Sequence, residues 1–355
     1  MSKKVGIILI NYKDYAQRYL SACRDSLRAQ DYEAELTQVY IIDNAATPES
    51  NDFLKNNYPE AIILPRPDGN YAAAGNLGFK QALADGVDYV VSVNMDTETD
   101  SRWLGELVKG LDNNPAAGLA QAKILLYPKN EAEKISPKIN SLGNSFHFLG
   151  FGFASGYDEP DREISGYPEI KGYASGCSFI IRRVALEKIG GYNEEYYMYH
   201  DDIELSLKAK LAGYKIILAP QALIYHKYEF SRSVKMIYYM ERNRYLTIFT
   251  FYPVYLLILV ALPGVIMDLG MLVYSMFGGW FKTEMKIYGY FFRLSTYAKI
   301  HQERKKISQL RKVPLRLLAR GFVGKIEFQE IANPLLKYLV NPLFNFYWRI
   351  ARRLI

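Results

Sequence analysis

The segment Val93-Asn-Met-Asp-Thr-Glu98 sets two carboxylates, Asp96 and Glu98, at the end of an apolar run. Such a pattern can bind Mg²⁺ or Mn²⁺, hard cations that take few protein carboxylates and complete their shell with water or phosphate oxygens. An Asp-rich surface turn is the plainer alternative. Asp43 follows Ile41-Ile42, where a carboxylate can accept hydrogen bonds from a ribose or a base edge. With Asn44 it also suits an Asx-type turn. Gly69-Asn-Tyr-Ala-Ala-Ala-Gly-Asn-Leu-Gly78 is rich in small residues, which allow close backbone approach, and a helix N-terminus there suits a phosphate. It is neither a G-x-G-x-x-G nor a P-loop. Tyr199-His-Asp-Asp-Ile-Glu204 opens a helix with acids. One of them can act as a general base, kept ionised by the helix dipole, with N-capping as the alternative. His226 ends a short strand. A lone His is usually structural, but one converging on an acidic metal site is a natural further ligand.

These residues need a frame, and the first half of the chain supplies one. Val5–Ile10, Val39–Ile42, Ala61–Leu64 and Tyr89–Val93 are unbroken apolar runs of strand length. Tyr15–Ala29 and Asn76–Ala84 between them carry helical spacing. Apolar strands alternating with helices predict a parallel α/β sheet covered on both faces. In such sheets ligands lie beyond the carboxyl ends of the strands. There stand Asn11-Tyr12, Asp43-Asn44 and Asn94-Met95-Asp96. Residues 127–172 lose the rhythm and read as a long insertion. Asp201–Ala212 is a helix stopped by Gly213, followed by short strands at Lys215–Leu218 and Leu223–His226.

Charge divides the 355-residue chain. Residues 282–355 hold 16 Lys and Arg against 4 Asp and Glu, so a basic tail follows a mildly acidic body. Ahead of the tail, Tyr245–Met267 contains no charge, Asp268 interrupts, and Leu269–Phe281 continues apolar. About 20 apolar residues cross a bilayer core. Pro253 and Pro263 can break the segment, so it spans, folds back or lies in the interface. The basic clusters alternate with Leu, Phe, Tyr and Trp348, as interfacial helices on anionic lipid do. The apolar run favours a membrane over nucleic acid as partner, and a homo-oligomer through this tail is the rival use. Two cysteines, Cys23 and Cys177, exclude a disulfide framework.

The motifs in combination resemble the family 2 glycosyltransferases over about residues 4–230 in the expected order. Ile10-Asn-Tyr12 is similar to that family's opening, and Ile42-Asp-Asn-Ala-Ala-Thr47 to its Val-Asp-Asn-Ala-Ser-Thr. Asn70–Gly78 resembles its Asn-x-Gly-Phe-Ala-x-Gly-Asn-Asn-x-Gly, and Asn94-Met-Asp-Thr97 the Asn-Pro-Asp-Thr form of D-x-D. Gly190-Gly-Tyr-Asn-Glu194 and His200-Asp-Asp-Ile-Glu-Leu205 resemble Gly-Gly-Phe-Asp-Glu and Glu-Asp-x-Asp-Leu. Rhamnosyl- and galactofuranosyl-type members are nearest in flavour.

The resemblance implies a GT-A fold at 1–230, Rossmann-like with a mostly parallel sheet, while the apolar run and basic clusters mark 231–355 as a helical membrane-associating region. It implies inverting transfer from a UDP-, dTDP- or GDP-sugar to a glycan or lipid-linked hydroxyl, at the cytoplasmic face of the membrane. Asn11, Tyr12, Asp43, Asn70, Gly75, Asn76, Asn94 and Asp96 would bind the donor. Asp96 and His226 would hold Mg²⁺ or Mn²⁺, and Asp202 would be the base. Trp103, Tyr196, Tyr197 and Asp201 are expected on the acceptor side. Asn94 departs from the stricter D-x-D by removing one charge. The competing readings are a sugar-nucleotide-binding scaffold and a nucleotidyltransferase. The latter normally shows a Gly-rich basic loop where this chain has Asn11-Tyr12-Lys13-Asp14.

Overall fold

A computed structural model describes residues 3–228, 234–327 and 334–355. β1 (Val5–Asn11), α1 (Tyr15–Arg28), β2 (Thr37–Asp43), α2 (Pro48–Asn57), β3 (Ile62–Pro65), α3 (Tyr71–Ala84) and β4 (Tyr89–Val93) alternate as the apolar runs predict. β1 lies parallel between β2 and β4, and β2 pairs with β3. β1 and β4 are buried along their whole length, which is why their sequences show no polar alternation. α1 buries Ala16, Leu20, Cys23 and Leu27, a single stripe against the sheet. α3 begins at Tyr71, five residues before the expected Asn76. Asn70 caps it, its side chain accepting from the Ala73 N–H at 3.1 Å.

Beyond β4 the alternation ends. The chain continues through β5 (Thr97–Thr99), α4 (Trp103–Asp112), β6 (Ala117–Leu126), α5 (Glu131–Ile135), β7 (Ile139–Ser141), β8 (Asn144–Phe146) and β9 (Gly152–Ala154). Then come β10 (Ser178–Arg182), α6 (Arg183–Ile189), α7 (Asp201–Leu211) and β11 (Lys215–His226). The strand order is β3-β2-β1-β4-β10-β6-β11-β5, with β7 on β6. β10 runs antiparallel to β4 and β6, so the sheet is mostly rather than wholly parallel. Order reverses between β1 and β4, and a crevice opens beyond strand ends at such a switch. β11 is one strand with an irregularity between Ala219 and Leu223, where the sequence suggested two. The segment 127–172 is less loose than expected: β7 pairs with β6, and β8 with β9.

The C-terminal helices are α8 (Val234–Phe251), α9 (Val254–Phe277), α10 (Phe281–Phe291), α11 (Leu294–Leu310), α12 (Leu315–Ala319) and α13 (Asn341–Ala351). The expected boundary at 230/231 lies outside the described residues. On either side of it the two regions share a core. Ile203, Leu207 and Leu211 of α7 pack with Phe148, Tyr252, Ile307 and Trp348. Phe148 stacks on Trp348 at 4.8 Å, worth about 0.5–1.5 kcal/mol beyond area burial.

Pro253 splits the apolar run, while Pro263 is accommodated inside α9. Among the described residues, α9 is the one helix long and apolar enough to cross a membrane. Its charge, Asp268, faces the protein: Arg244 donates to it at 3.2 Å and the Tyr245 hydroxyl at 2.6 Å. A stripe of Ile258, Leu262, Val265, Leu269 and Val273 is exposed. In 334–355 a second exposed stripe runs through Tyr338, Leu343, Phe346 and Ile350.

Candidate active site

β4 ends at Val93, and the chain turns back through Asn94, Met95 and Asp96 into β5. The Thr97 hydroxyl donates to the Asn94 carbonyl at 2.6 Å and closes the turn. β5 pairs antiparallel with β11, setting Thr97 opposite His226. That register brings His226 Nε2 to 3.2 Å from Asp96 Oδ2. Nδ1 lies 3.0 Å from Asn140 Oδ1. An amide oxygen only accepts, so Nδ1 carries the proton and Nε2 points at the carboxylate. Burial opposes an imidazolium here, but Cys177 and Asp96 outweigh it and push the His226 pKa up to about 10.

Asp96 Oδ1 is buried with no hydrogen-bond partner, a lone acceptor of the kind a cation satisfies. Among the described residues no three His, Cys, Asp or Glu side chains gather to hold an ion by themselves. A cation held here would have Asp96 and His226 as its protein ligands and would complete its shell with other oxygens.

The second half of the rim is α7. Asp202 Oδ1 accepts from its neighbour's N–H, Ile203, at 2.8 Å, and Oδ2 from the Gly176 N–H at 3.2 Å. Burial raises the pKa of Asp202, and these N–H groups hold the rise in check. Asp201 is pushed higher, by its own burial and by the charge of Asp202. Burial raises both adjacent carboxyls, and they titrate as a pair in which ionisation of one hinders the other. Gly176 touches Asp202, and Cys177, the next residue, lies beside His226 and gives its carbonyl to the Asn94 N–H at 2.9 Å. One dipeptide therefore links both halves of the rim.

Tyr71 lies between them. Its hydroxyl reaches Asn94 Oδ1 at 3.4 Å. Burial first, then Asp201, Asp202, Cys177 and Asp96, raise its pKa. Tyr15 is likewise raised by burial and by Asp96. On the far side of His226 a cavity of about 410 Å³ is lined by Tyr127, Lys129, Tyr157, Lys227 and Tyr228.

Several expected residues do other work. Asn11 and Asp43 are buried, and Asn11 Nδ2 donates to Asp43 at 2.8 Å while Ser50 donates to its other oxygen at 2.5 Å. They fasten the ends of β1 and β2 rather than standing open to a ligand. Three amides at the start of α3 are already taken: Ala72 donates to the Tyr197 carbonyl at 3.1 Å, and Ala73 and Ala74 to Asn70. Asn76 binds both backbone groups of Tyr192, and a Cβ at Gly75 would stand 2.6 Å from the Tyr192 ring. Asn70, Gly75 and Asn76 thus lock α3 to the 190–197 loop.

The acceptor-side expectations need correction. Trp103 is fully buried, its Nε1–H donating to Ser178 at 3.1 Å. Tyr196 is fully buried against Thr247 at 3.1 Å, and Asp201 is buried too. None presents a face to a sugar. Tyr197 and Tyr12 are half-buried and flank Gly69, whose added Cβ would meet them at 3.0 and 3.1 Å. Tyr197 also stacks on Tyr239 at 4.8 Å.

Known proteins share parts of this sequence and this fold. The chain is 27% identical over 241 residues to the O-antigen biosynthesis protein RfbC of Myxococcus xanthus, covering 66% of this chain and 18% of that protein. It is 24% identical over 211 residues to N-acetylglucosaminyl-diphospho-decaprenol L-rhamnosyltransferase of Mycobacterium tuberculosis, covering 53% of this chain and 66% of that one. The chain thus spans less than two thirds of either relative. Among solved structures, GalNAc-T7 with UDP, GalNAc and Mn²⁺ superposes with TM-score 0.55 at 11% identity, over 72% of this chain and 49% of that one. The mannosyltransferase PcManGT of Pyrobaculum calidifontis, with GDP-Man and Mn²⁺, gives TM-score 0.50 at 14% identity, over 100% and 87% of the two chains. These likenesses show the GT-A fold. The family model described as glycosyl transferase family 2 matches residues 6–190, over half the chain, and the protein belongs to that family.

Proposed function

We propose that this protein moves a sugar from a nucleoside-diphosphate donor to a hydroxyl of a glycan or lipid-linked acceptor, inverting the anomeric centre in one displacement. The observation that carries the reading is the Gly176–Cys177 link, which sets Asp202 across one rim from Asp96 and His226. Asp202 takes the acceptor proton as the oxygen attacks the anomeric carbon. The carboxylate is poised for this because burial lifts its basicity while two N–H donors keep it oriented. Asp96 and His226 would hold Mg²⁺ or Mn²⁺, which supplies charge stabilisation for the departing diphosphate. Tyr12, half-buried beside Gly69, is a ring on which the nucleotide could stack. The tyrosine-lined cavity beyond His226 is the place for an acceptor sugar. The named activity of the mycobacterial relative favours a rhamnosyl-type donor and a diphospholipid acceptor.

The exposed stripes on α9 and on 334–355, with Arg349, Arg352 and Arg353 beside the second, suit helices lying in the interface of an anionic membrane. Because Asp268 pins α9 to α8, lying flat fits better than crossing. The cytoplasmic face is where nucleotide donor and lipid-linked acceptor meet. The test is a donor panel of UDP-, dTDP- and GDP-sugars, measuring nucleotide release and product with and without Mn²⁺. Acceptor-dependent, Mn²⁺-stimulated release with one donor class is expected. Absence of release with every donor and acceptor would end the reading.

A further inference from the structure

Just ahead of Asp202 the backbone is strained. Tyr197, Tyr199 and His200 have φ of 64°, 64° and 62°. Non-glycine residues rarely adopt this left-handed region, and three within four positions persist only when the surroundings enforce them. α7 starts immediately afterwards, and His200 makes no side-chain cap to it. The direction in which Asp201 and Asp202 leave the loop is therefore set by the strained turn.

What enforces the turn lies in α8. Asn243, fully buried, places Nδ2 at 2.8 Å from the carbonyls of Tyr196, Met198 and Tyr199. Its Oδ1 accepts from Arg242 at 3.0 and 2.8 Å, which fixes the amide's orientation. The same guanidinium donates to the carbonyls of Glu195 and Tyr196 at 2.6 and 2.9 Å. From the other side the Ala72 N–H holds the Tyr197 carbonyl. Five consecutive carbonyls, 195 to 199, are thus gripped, four of them by two neighbouring residues of the C-terminal region.

We propose that Asn243, seated by Arg242, is a positioning residue for catalysis: it holds the left-handed 197–200 turn and so aims Asp202 at the acceptor hydroxyl. The inference rests on the reading of Asp202 as the base. It makes the C-terminal helices part of the catalytic unit, beyond any anchoring role. Neither Asp202 nor Asn243 falls in the 6–190 stretch matched by the family.

The test uses the full chain. Asn243→Ala is expected to lower kcat about tenfold to hundredfold, the cost of an ångström-scale misplacement, with donor KM within about twofold. Tyr199→Gly added to Asn243→Ala is expected to recover much of the loss, because glycine adopts positive φ without help. A kcat in Asn243→Ala equal to wild type overturns the proposal, as does failure of the glycine rescue in a folded double variant. Should Asn243→Ala not fold, Arg242→Lys loosens the amide's seat without emptying the core. There a reduced kcat at unchanged melting temperature supports the brace, and an unchanged kcat overturns it. Asp202→Asn, run alongside, separates the two readings. If it is dead while Asn243→Ala is fully active, the brace fails and the base stands; if it is active, the base fails.

Discussion

Asp202→Asn removes the proposed base with little change of shape, and the structure says what else it does. Asparagine keeps one carbonyl oxygen, which can accept from the Ile203 N–H now at 2.8 Å. Its NH₂ then faces the Gly176 N–H, donor against donor, leaving an unpaired N–H that costs about 1–3 kcal/mol. Against this, the variant no longer carries a carboxylate that burial penalises. The sign of that second effect follows from linkage. Burial raises the folded-state pKa of Asp202 above its ordinary 3.8. The neutral form is favoured in the fold, so its contribution to stability is present below pH 3.8 and is lost as pH rises through the raised value. At neutral pH the amide escapes that loss, and the two effects offset. We expect melting temperature near wild type. Activity should fall about 10²–10⁴-fold, the usual contribution of a general base, or about 2.7–5.4 kcal/mol of barrier at about 1.36 kcal/mol per tenfold. The assay is nucleotide release at saturating acceptor, across pH. Wild-type kcat should decline on the acid side at a pH above the ordinary aspartate range, and the residual rate of the variant should lack that limb. A variant within tenfold of wild type, or one with the same acid limb, would refute the assignment.

Tyr71→Phe should lower kcat several-fold without changing stability, since the ring stays and only the hydroxyl near Asn94 is lost; single-turnover kinetics beside thermal melting checks this. Trp103→Ala should cost about 3–5 kcal/mol in urea unfolding, because the ring is wholly enclosed and Ser178 loses its donor. Ile258→Gln, Leu262→Gln and Val265→Gln together should abolish sedimentation with anionic liposomes while leaving transfer to a soluble acceptor intact, as all three side chains are exposed. Persistent sedimentation would remove α9 from the account of membrane binding.

Strand-end chemistry was legible in the sequence because the parallel sheet imposes it. Asp96 follows a fully buried strand, His226 ends another, and the acids of 201–204 open a helix. What stayed hidden depends on partners far away in the chain. Asn70 and Asn76 read as ligand residues, yet their amides are spent on Tyr192 and Glu194, more than 115 positions on. Trp103 and Tyr196 read as sugar platforms because composition does not tell which face of a turn meets another element; their partners are Ser178 and Thr247. The place of Tyr71 between the carboxylates arises from the docking of α3 against the 190–197 loop. Treating 231–355 as a separate region concealed the Arg242–Asn243 grip, since hydropathy sees only the apolar run that follows.

The central claim is that Asp96 and His226 hold a divalent cation together with a nucleoside diphosphate, opposite Asp202. Mn²⁺ binding followed by electron paramagnetic resonance, with UDP, dTDP or GDP present or absent, tests it directly. The account predicts tight Mn²⁺ uptake only with a nucleotide, kept in Asp202→Asn and lost in Asp96→Asn. Equal uptake in Asp96→Asn and wild type would contradict it.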